Sequence, residues 1–347
     1  MPTGDRARAG AGPSEIRRPT PAWRQVLRSL GGVLLAVALL WWGLPRVTGA
    51  SWPATTRVLA EVPTGYLVGL FALLVGAWAC YGVVLTAALP GLSLRRAVLL
   101  NLASSAVSML VPFGGAVGVG ATYLITRSWG FSLGAIGLSV IVTGLWNVMA
   151  KLAIPLVGLA ALALAGEHVD PQLARAATVG ALVVAGILAA LVGVLAADRV
   201  AQVADRFAAR WAGRWFRPGA VLRWRDRSRT LLRDGWARMT AGMAGFLALY
   251  GVLFWASLQA VHAQVPGTVT VAAYTLGRLL TSVVVTPGGL GIAESGAAGL
   301  LVSFGAPAPI ATAGVLLFAA YTQLVQVPAG AIAWAGWAIS RRRAGRR

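Results

Sequence analysis

Four uncharged apolar stretches, each long enough to cross a membrane, constrain what this chain can fold into. They cover residues 62–94, 97–126, 176–197 and 239–277. About 20 consecutive apolar residues suffice to cross a bilayer as a helix. Apolar residues make up 58% of the chain and charged residues only 12%, whereas a soluble domain carries about 25% charged residues. The sequence therefore predicts an all-α, polytopic integral membrane protein.

The net charge of +20 is concentrated at the N-terminus, at Arg95 and Arg96, in the loop 198–238 and at 341–347. Basic residues beside membrane spans mark the cytoplasmic side. We therefore expect a multi-pass protein of the plasma membrane with both termini in the cytoplasm, and we do not expect nucleic-acid binding. The expected divisions are a disordered basic tail (1–25), a transmembrane domain (26–339) and a basic C-terminal tail (340–347).

Two mainly apolar stretches, 95–127 and 269–304, are interrupted by proline and glycine. The arms of the first, about 16 and 12 residues, are too short for two crossings at 1.5 Å per residue. Re-entrant helical hairpins fit both stretches, and two kinked helices packed by small residues are the alternative. Besides these hairpins we expect about six full spans, at 26–44, 64–89, 132–165, 172–197, 239–262 and 309–339.

The two interrupted stretches would enter the membrane from opposite faces, because only the first has basic residues at both ends. Transporters use such inverted repeats of broken helices to build a binding site at the membrane midplane. Proline ends a half-helix, glycine permits the turn, and the freed amides of the next half-helix can face an anion. The residues assigned to this role are Pro112, Gly114, Gly115, Pro287, Gly288, Gly289 and Gly291.

Four polar residues lie at membrane depth: Asn147, Lys151, Arg278 and Glu294. A carboxylate at the bilayer centre costs at least about 2.5–3.5 kcal/mol unless it is paired, hydrated or protonated. Asn147 and Lys151 share one helix face, and Lys151 is the only lysine. Glu294 has Arg278 and Lys151 as candidate partners. These residues form either a fixed ion pair or a site for a substrate or proton.

The basic loop has a helical pattern of its own. Arginines flank an apolar stripe, which is typical of an amphipathic helix on the anionic cytoplasmic leaflet. Charge that merely fixes topology is the alternative. The stripe consists of Val200, Val203, Phe207, Trp211 and Trp215.

No motif for a cofactor or for catalysis is assigned. The sequence contains no P-loop and no His-Glu-x-x-His motif. Glu167, His168 and Asp170 are interpreted as solvated loop charge and not as metal ligands. We therefore expect no metal, no cofactor and no enzymatic activity.

The second interrupted stretch resembles a known family. Thr286-Pro-Gly-Gly-Leu-Gly-Ile-Ala-Glu294, preceded by Arg278 and followed by Gly305-Ala-Pro307, is similar to the signature of the flippase-like membrane family. This family includes the transmembrane region of lysylphosphatidylglycerol synthases. The segment from Val111 to Gly118 resembles the family's first broken segment, and the resemblance extends over about residues 26–337.

The resemblance implies a lipid-translocating membrane domain and leaves the lipid open. The resemblance does not extend to the soluble aminoacyl-transferase domain of full synthases, so it does not imply lysine transfer to lipid. The family's basic or aromatic pair in the last long helix is Ala320-Tyr321 here, so a role for arginine at that place is lost.

Two functions fit these features. The first is a transporter that moves an anionic or amino-modified lipid, a phospholipid or other lipid-linked substrate, between leaflets. The second is a non-transporting membrane scaffold that binds lipid or an enzyme of cell-envelope synthesis. The partners expected beyond the lipid are the anionic cytoplasmic leaflet and a second copy of the chain or a cell-envelope enzyme.

Overall fold

The computed structural model describes residues 31, 34–110, 114–164, 198–212, 220–281, 286 and 289–344, together with scattered positions between 179 and 193. Every regular element in this part of the chain is a helix, so the all-α prediction is confirmed. The helices are α1 (Leu34–Thr48), α2 (Trp52–Ala60), α3 (Thr64–Ala88), α4 (Leu94–Leu110), α5 (Gly115–Ser128), α6 (Leu133–Leu164), α7 (Asp198–Ala212), α8 (Ala220–Ala260), α9 (Gly267–Leu280), α10 (Ile292–Ser303), α11 (Ala308–Ala319) and α12 (Gln326–Ala344).

Within the described ranges, four helices are long and apolar enough to cross a membrane. They coincide with four of the expected spans, and the bent pair of α1 and α2 makes a fifth if it is counted as one span. The expected span 172–197, the loop 167–170 and the tail 1–25 lie largely or wholly outside the described residues. The four helices are Thr64–Ala88, Leu133–Ala161, Gly235–Ala260 and Ala308–Arg343.

The first expected span, 26–44, differs from a plain crossing. Helix α1 continues to Thr48, and the chain then turns by 97° into α2. Gly49 makes this turn possible because it adopts φ 73°, and its N–H donates to the Pro45 carbonyl at 2.7 Å. The rings of Trp41 and Trp52 stack across the bend with centroids 5.0 Å apart. Sequence hydropathy cannot show such a bend, because it locates apolar segments and not the directions of their helix axes.

The fifth expected span begins earlier than residue 239. Helix α8 starts at Ala220 and runs unbroken through part of the basic loop into the membrane-compatible segment Gly235–Ala260. Upstream, α7 confirms a helix in the basic loop. Its stripe residues Val200, Val203 and Phe207 are exposed; Trp215 lies outside the described residues. Contact of this stripe with a membrane stays a prediction.

Helices α3 and α8 form a closely packed antiparallel pair. Gly235 lies against Ala87, Gly242 against Cys80 and Val84, and Gly76 against Leu249. Small residues let transmembrane backbones approach in this way. A Cβ on Gly242 would come within 2.8 Å of the Cys80 carbonyl oxygen, so glycine is required there. The antiparallel order places the end of α3 and the end of α8 at opposite ends of the bundle.

Helices α4 and α5 form the first hairpin, which starts where α3 ends. The two arms pack against each other, and Gly118 lies directly against Ser104 and Ser108 near the tip. At the open end, the Arg96 guanidinium carbon lies 5.4 Å from the centroid of the Trp129 ring. The chain therefore returns to the end it came from. Arms of 17 and 14 residues are shorter than a crossing helix.

Helices α9 and α10 form the second hairpin, which starts where α8 ends. Gly277 packs against Ala297, and Leu280 packs against Gly296, so the arms of 14 and 12 residues run antiparallel. The following helix begins near the same end, because Gly314 lies against Leu258 and Val261. Since α3 and α8 are antiparallel, the two hairpins open at opposite ends of the bundle. Both stretches are folded hairpins and not merely kinked helices.

Candidate functional site between the hairpins

A cavity of about 320 Å³ lies between the two hairpins. All four polar residues singled out in the sequence at membrane depth line it: Asn147, Lys151, Arg278 and Glu294. They come from three helices, α6, α9 and α10, so no pattern within a single span could predict that they share a cavity. Helices α4, α8, α11 and α12 supply further lining. The volume lies at the low end of the usual range for small-molecule sites, about 300–1,000 Å³.

Glu294 is buried, with only 4% of its surface exposed, and it is held by neutral donors. Its Oε2 accepts a hydrogen bond from the Gly291 backbone N–H at 2.6 Å, and its Oε1 accepts one from Gln323 Nε2 at 2.9 Å. The carboxylate thereby caps the first turn of α10, where an acidic group is stabilised by the unpaired amides and the helix dipole. Of the two alternatives, the fixed ion pair of Glu294 with Arg278 or Lys151 is therefore not the arrangement found.

This outcome has a local cause. Glu294 is the third residue of α10, and a glutamate at that position can reach back to the amide of the residue before the helix. The same contact occupies one of the amides that were expected to be able to face an anion. At Gly291, the anion that the amide meets is the protein's own carboxylate.

Arg278 lies against aromatic rings. Its guanidinium carbon is 5.3 Å from the centroid of Tyr250 and 6.0 Å from that of Phe246. Guanidinium groups are attracted to ring faces at these distances. Tyr274 anchors the same arm to α8 by donating its hydroxyl to the Leu247 carbonyl at 2.8 Å. The aromatic wall thus holds the cation at the cavity without neutralising its charge.

Asn147 and Lys151 line the cavity from α6, which packs against α9, the helix that carries Arg278. Asn147 Nδ2 donates to the Tyr81 hydroxyl and to the Thr143 carbonyl, both at 2.9 Å. Lys151, one turn further along, is half-buried. Its positive charge lies close enough to that of Arg278 for the two charges to repel each other. In the part of the chain that the structure describes, neither cation has a salt-bridge partner. The cavity therefore presents two positive charges against one carboxylate that is already hydrogen-bonded.

The glycines assigned to the site have structural roles at its edges. Gly289 and Gly291 adopt φ 75° and 87°, a conformation that glycine alone adopts easily. A Cβ on Gly289 would lie 2.7 Å from Thr281 Cα, and one on Gly291 would lie 2.5 Å from Leu39 Cβ. Gly114 is buried in the turn before α5, and Gly115 lines a second, neighbouring cavity. Pro112, Pro287 and Gly288 lie outside the described residues.

Sequence reasoning missed several lining residues. Gln323 is the most important, because it binds Glu294 from the last long helix. It lies in a π-helical turn, Ala320–Leu324, and such turns occur often at functional sites. A glutamine inside a long apolar segment was the available signal, since polar side chains at membrane depth face the protein interior. The other missed polar or aromatic residues include Tyr81, Asn101, Ser105, Tyr250, Tyr274, Thr281, Thr322 and Gln326.

Comparison with known proteins agrees with the architecture. The family model described as lysylphosphatidylglycerol synthase TM region matches residues 29–330, which is most of the chain. A search of curated proteins found no match. The match to the family model covers both hairpins and every residue that lines the cavity.

Proposed function

The chain belongs to the family of the lysylphosphatidylglycerol synthase transmembrane region, and from that premise we propose that it moves an anionic phospholipid between membrane leaflets. The charge balance of the central cavity carries this proposal. Lys151 and Arg278 face the cavity without a carboxylate partner among the described residues. Two uncompensated cations at membrane depth are costly, and a bound phosphate would remove that cost.

The chemistry of the two cations suits a phosphodiester. Arginine offers a planar fork of N–H donors that can engage two phosphate oxygens at once, while lysine acts as a compact point charge. The rings of Phe246 and Tyr250 keep the guanidinium close to one wall. Glu294 does not compete for the cations, because Gly291 and Gln323 already satisfy its oxygens. A phosphate can therefore enter without first breaking an internal ion pair.

The two hairpins offer a route to either leaflet. They open at opposite ends of the antiparallel α3–α8 pair, and the cavity lies between them. Rocking of one hairpin against the other would open the cavity to each side in turn, as in transporters built from broken helices. In this proposal the acyl chains stay in the bilayer and only the headgroup crosses. The activity is transport and not covalent chemistry.

The membrane orientation belongs to the same proposal. Both termini and the basic loop face the cytoplasm, in the plasma membrane. There α7 lies with its exposed stripe against the anionic leaflet. Exposed Val203 and Phe207 beside Arg206 and Arg210 fit such a surface.

Reconstitution of the full chain into liposomes tests the proposal. The liposomes carry fluorescent phosphatidylglycerol in both leaflets. A membrane-impermeant quencher removes the outer-leaflet signal at once, and the further loss of the protected inner-leaflet label reports transfer. We expect transfer above that of protein-free liposomes. Lys151→Met and Arg278→Gln should each slow it by about ten-fold or more, since a charge-assisted hydrogen bond contributes about 1.5–3 kcal/mol.

Arg57→Gln is the matched control, because Arg57 is exposed on α2 and does not line the cavity. Its transfer rate should equal that of the unchanged chain. Tight lipid binding without any transfer would instead support the scaffold function. Equal rates for Arg278→Gln, Lys151→Met and the control would remove the two cations from the mechanism.

A further inference from the structure

The hydrogen bonds of Glu294 leave one of its two oxygens able to bind a proton. The carboxylate is buried and lines the same cavity as Lys151 and Arg278. Its Oε2 accepts from the Gly291 backbone amide, which can only donate. Its Oε1 accepts from the side-chain amide of Gln323, which carries an acceptor as well as a donor. Oε1 is therefore the atom at which a proton can be received.

The Gln323 amide can serve either protonation state of Glu294. Its oxygen, Gln323 Oε1, is buried and has no hydrogen-bond partner among the described residues. Half a turn about the last side-chain bond would exchange Nε2 for this oxygen, and a protonated Glu294 Oε1 would then donate to it. Uptake of a proton thus replaces one hydrogen bond between these two side chains by another of opposite direction. The reversed bond joins α12 to the second hairpin, the element that rocks in the proposed transport.

The ionisable groups around Glu294 single it out as the carrier of this proton. Among the described residues that line the cavity, it is the only carboxylate, and Lys151 on α6 and Arg278 on α9 are the cations. The other ionisable side chains there are tyrosines of α3, α8 and α9, whose hydroxyls ordinarily lose a proton only near pH 10. These tyrosines are Tyr81, Tyr250 and Tyr274.

The other two helices that pack against α10 bring no further charge to Glu294. Helix α11 contains no charged residue. On α1, Arg46 is exposed and lies next to Val47, which packs against Gly299 in the second half of α10. Glu294 lies in the first turn, and the α1 residue beside that turn is Leu39, which contacts Gly291.

The charge balance of the cavity couples the proton to the phosphate. A phosphodiester held by Lys151 and Arg278 places a second anion in the cavity that Glu294 lines. Two anions in one buried cavity repel each other, and a proton on Glu294 removes that repulsion. By thermodynamic linkage, the anionic lipid strengthens proton binding as much as the proton strengthens lipid binding.

We propose that Glu294 binds a proton that crosses the membrane together with the anionic lipid. This inference rests on the proposed function, and it adds the ion that is transported with the lipid. A proton from the side of entry forms an O–H bond at Glu294 Oε1 when the phosphodiester binds, and the same O–H bond breaks on the other side when the lipid leaves. The lipid carries one negative charge and the proton one positive charge, so their joint movement transfers no net charge.

Calorimetry of the full chain in detergent detects the proton directly. Dihexanoyl phosphatidylglycerol is titrated into the protein at one pH in two buffers that differ in ionisation enthalpy, and the difference in heat gives the number of protons taken up. The phosphodiester stays ionised throughout. We expect uptake of up to about one proton per lipid over part of the range from about pH 5 to 8. Lipid binding without uptake anywhere in this range would overturn the proposal.

Glu294→Gln removes the proton site and should abolish the uptake. Because this change removes a hydrogen-bond acceptor, the combined variant Glu294→Gln with Gln323→Glu is measured beside it. The combined variant keeps one carboxylate within the same pair and should keep the uptake. Glu61→Gln is the matched control, because Glu61 is exposed between α2 and α3 and does not line the cavity. Uptake that survives Glu294→Gln, or that is missing from the folded combined variant, would overturn the assignment to this pair.

Transport in liposomes tests the coupling itself. The outer solution stays at one pH so that the quencher reacts equally, and the inner solution is either at the same pH or one unit more acidic. Potassium on both sides with valinomycin holds the membrane potential at zero. We expect the acidic interior to speed transfer from the inner to the outer leaflet by up to about ten-fold, the ratio of the two proton concentrations. Protein-free liposomes with the same gradient supply the background.

The outcomes separate this inference from the function on which it rests. Glu294→Gln should transfer lipid at one rate whatever the inner pH, while Glu61→Gln should respond as the unchanged chain does. Transfer by the unchanged chain that ignores the inner pH, or an equal response in Glu294→Gln, would overturn the proton site and leave lipid transport intact. Absence of transfer under every condition would overturn both proposals.

Discussion

Gln323 Nε2 donates to Glu294 Oε1 at 2.9 Å, which ties the last long helix to the second hairpin. The other carboxylate oxygen accepts from the Gly291 amide at 2.6 Å, so one side chain satisfies two donors from different elements. Gln323 lies in the π-helical turn Ala320–Leu324, which interrupts the regular spacing of the helix. The Glu294 carboxylate therefore stabilises the second hairpin through hydrogen bonds and does not pair with the cations of the cavity.

Glu294→Gln should destabilise the protein even though it removes a buried charge. The single amide oxygen can serve only one of the two donors, and the other is left unsatisfied. We expect a loss of about 1–3 kcal/mol in unfolding free energy, measured by thermal unfolding in detergent. Gln323→Glu alone should also destabilise, because it places two carboxylates together.

The combined change Glu294→Gln with Gln323→Glu should recover much of that loss. The exchanged pair again has one amide donor and one carboxylate, and the glutamine at 294 can still accept from Gly291. Gln326→Glu is the control in the Glu294→Gln background, because Gln326 lines the same cavity but does not bind Glu294. Recovery by Gln326→Glu as well would show a general effect of charge and would contradict the proposed pair.

The sequence was sufficient to identify four of the polar residues that line the cavity, and insufficient to identify their hydrogen-bond partners. Asn147, Lys151, Arg278 and Glu294 stand out because polar groups are costly in apolar helices and turn toward the interior. All four side chains line the same cavity, as this preference for the interior predicts. The partner of Glu294 depends instead on where α10 begins, since only a glutamate in the first turn reaches the preceding amide. The start of α10 at Ile292 is set by the folded hairpin and not by a pattern in the sequence.

The same distinction applies to the fold. The hairpins and their opposite directions follow from short arms, proline and glycine, and the placement of arginines. The bend at Gly49 and the early start of α8 at Ala220 do not, because hydropathy locates apolar segments and shows neither whether a helix bends nor whether it extends into a charged loop. Tyr250 and Phe246 were missed for a related reason. Aromatic residues in an apolar span are indistinguishable from core until a cation is placed beside them.

Gly289→Val should impair folding or transport severely, because a Cβ there would lie 2.7 Å from Thr281 Cα and φ is 75°. The effect should exceed the about 1–3 kcal/mol typical of overpacking, since backbone strain adds to the clash. Yield of folded protein after size-exclusion chromatography is the measurement. Gly69→Val is the control, because Gly69 is exposed on α3 and a Cβ there meets nothing within 4 Å.

Gly251 lies within the membrane-compatible segment of α8, but it is not a suitable control for Gly289→Val. A Cβ on Gly251 would lie 3.4 Å from the Tyr274 ring, so this glycine faces a neighbouring helix and not lipid. Equal tolerance of valine at Gly289 and Gly69 would contradict the tight turn between α9 and α10.

Tyr250→Leu should weaken lipid transfer without unfolding the protein. The substitution removes the ring that lies 5.3 Å from the Arg278 guanidinium carbon, and a cation–π contact contributes about 0.5–2 kcal/mol. We expect transfer in liposomes to fall between about two-fold and thirty-fold. Tyr250→Phe keeps the ring face and should retain most of the activity.

Phe254→Leu provides the matched control for the aromatic wall. Phe254 packs against Tyr274 and Phe318 in the same cluster, with ring centroids 5.9 and 5.2 Å away. The cation–π contacts of Arg278 are with Phe246 and Tyr250 instead. A similar loss of transfer in Phe254→Leu and Tyr250→Leu would assign the effect to packing and not to the cation.

Cysteine labelling at the open ends of the two hairpins tests their opposite directions. Ser93 is exposed at the start of the first hairpin, and Gln264 is exposed at the start of the second. Since α3 and α8 are antiparallel, a cysteine at Gln264 should react with an impermeant thiol reagent on intact cells. A cysteine at Ser93, beside Arg95 and Arg96, should react only after permeabilisation. Cys80→Ala supplies a background without native thiols, because Cys80 is the single cysteine. Reversed labelling would overturn the membrane orientation while keeping the hairpins opposed, whereas labelling of both positions from one side would contradict the opposed hairpins themselves.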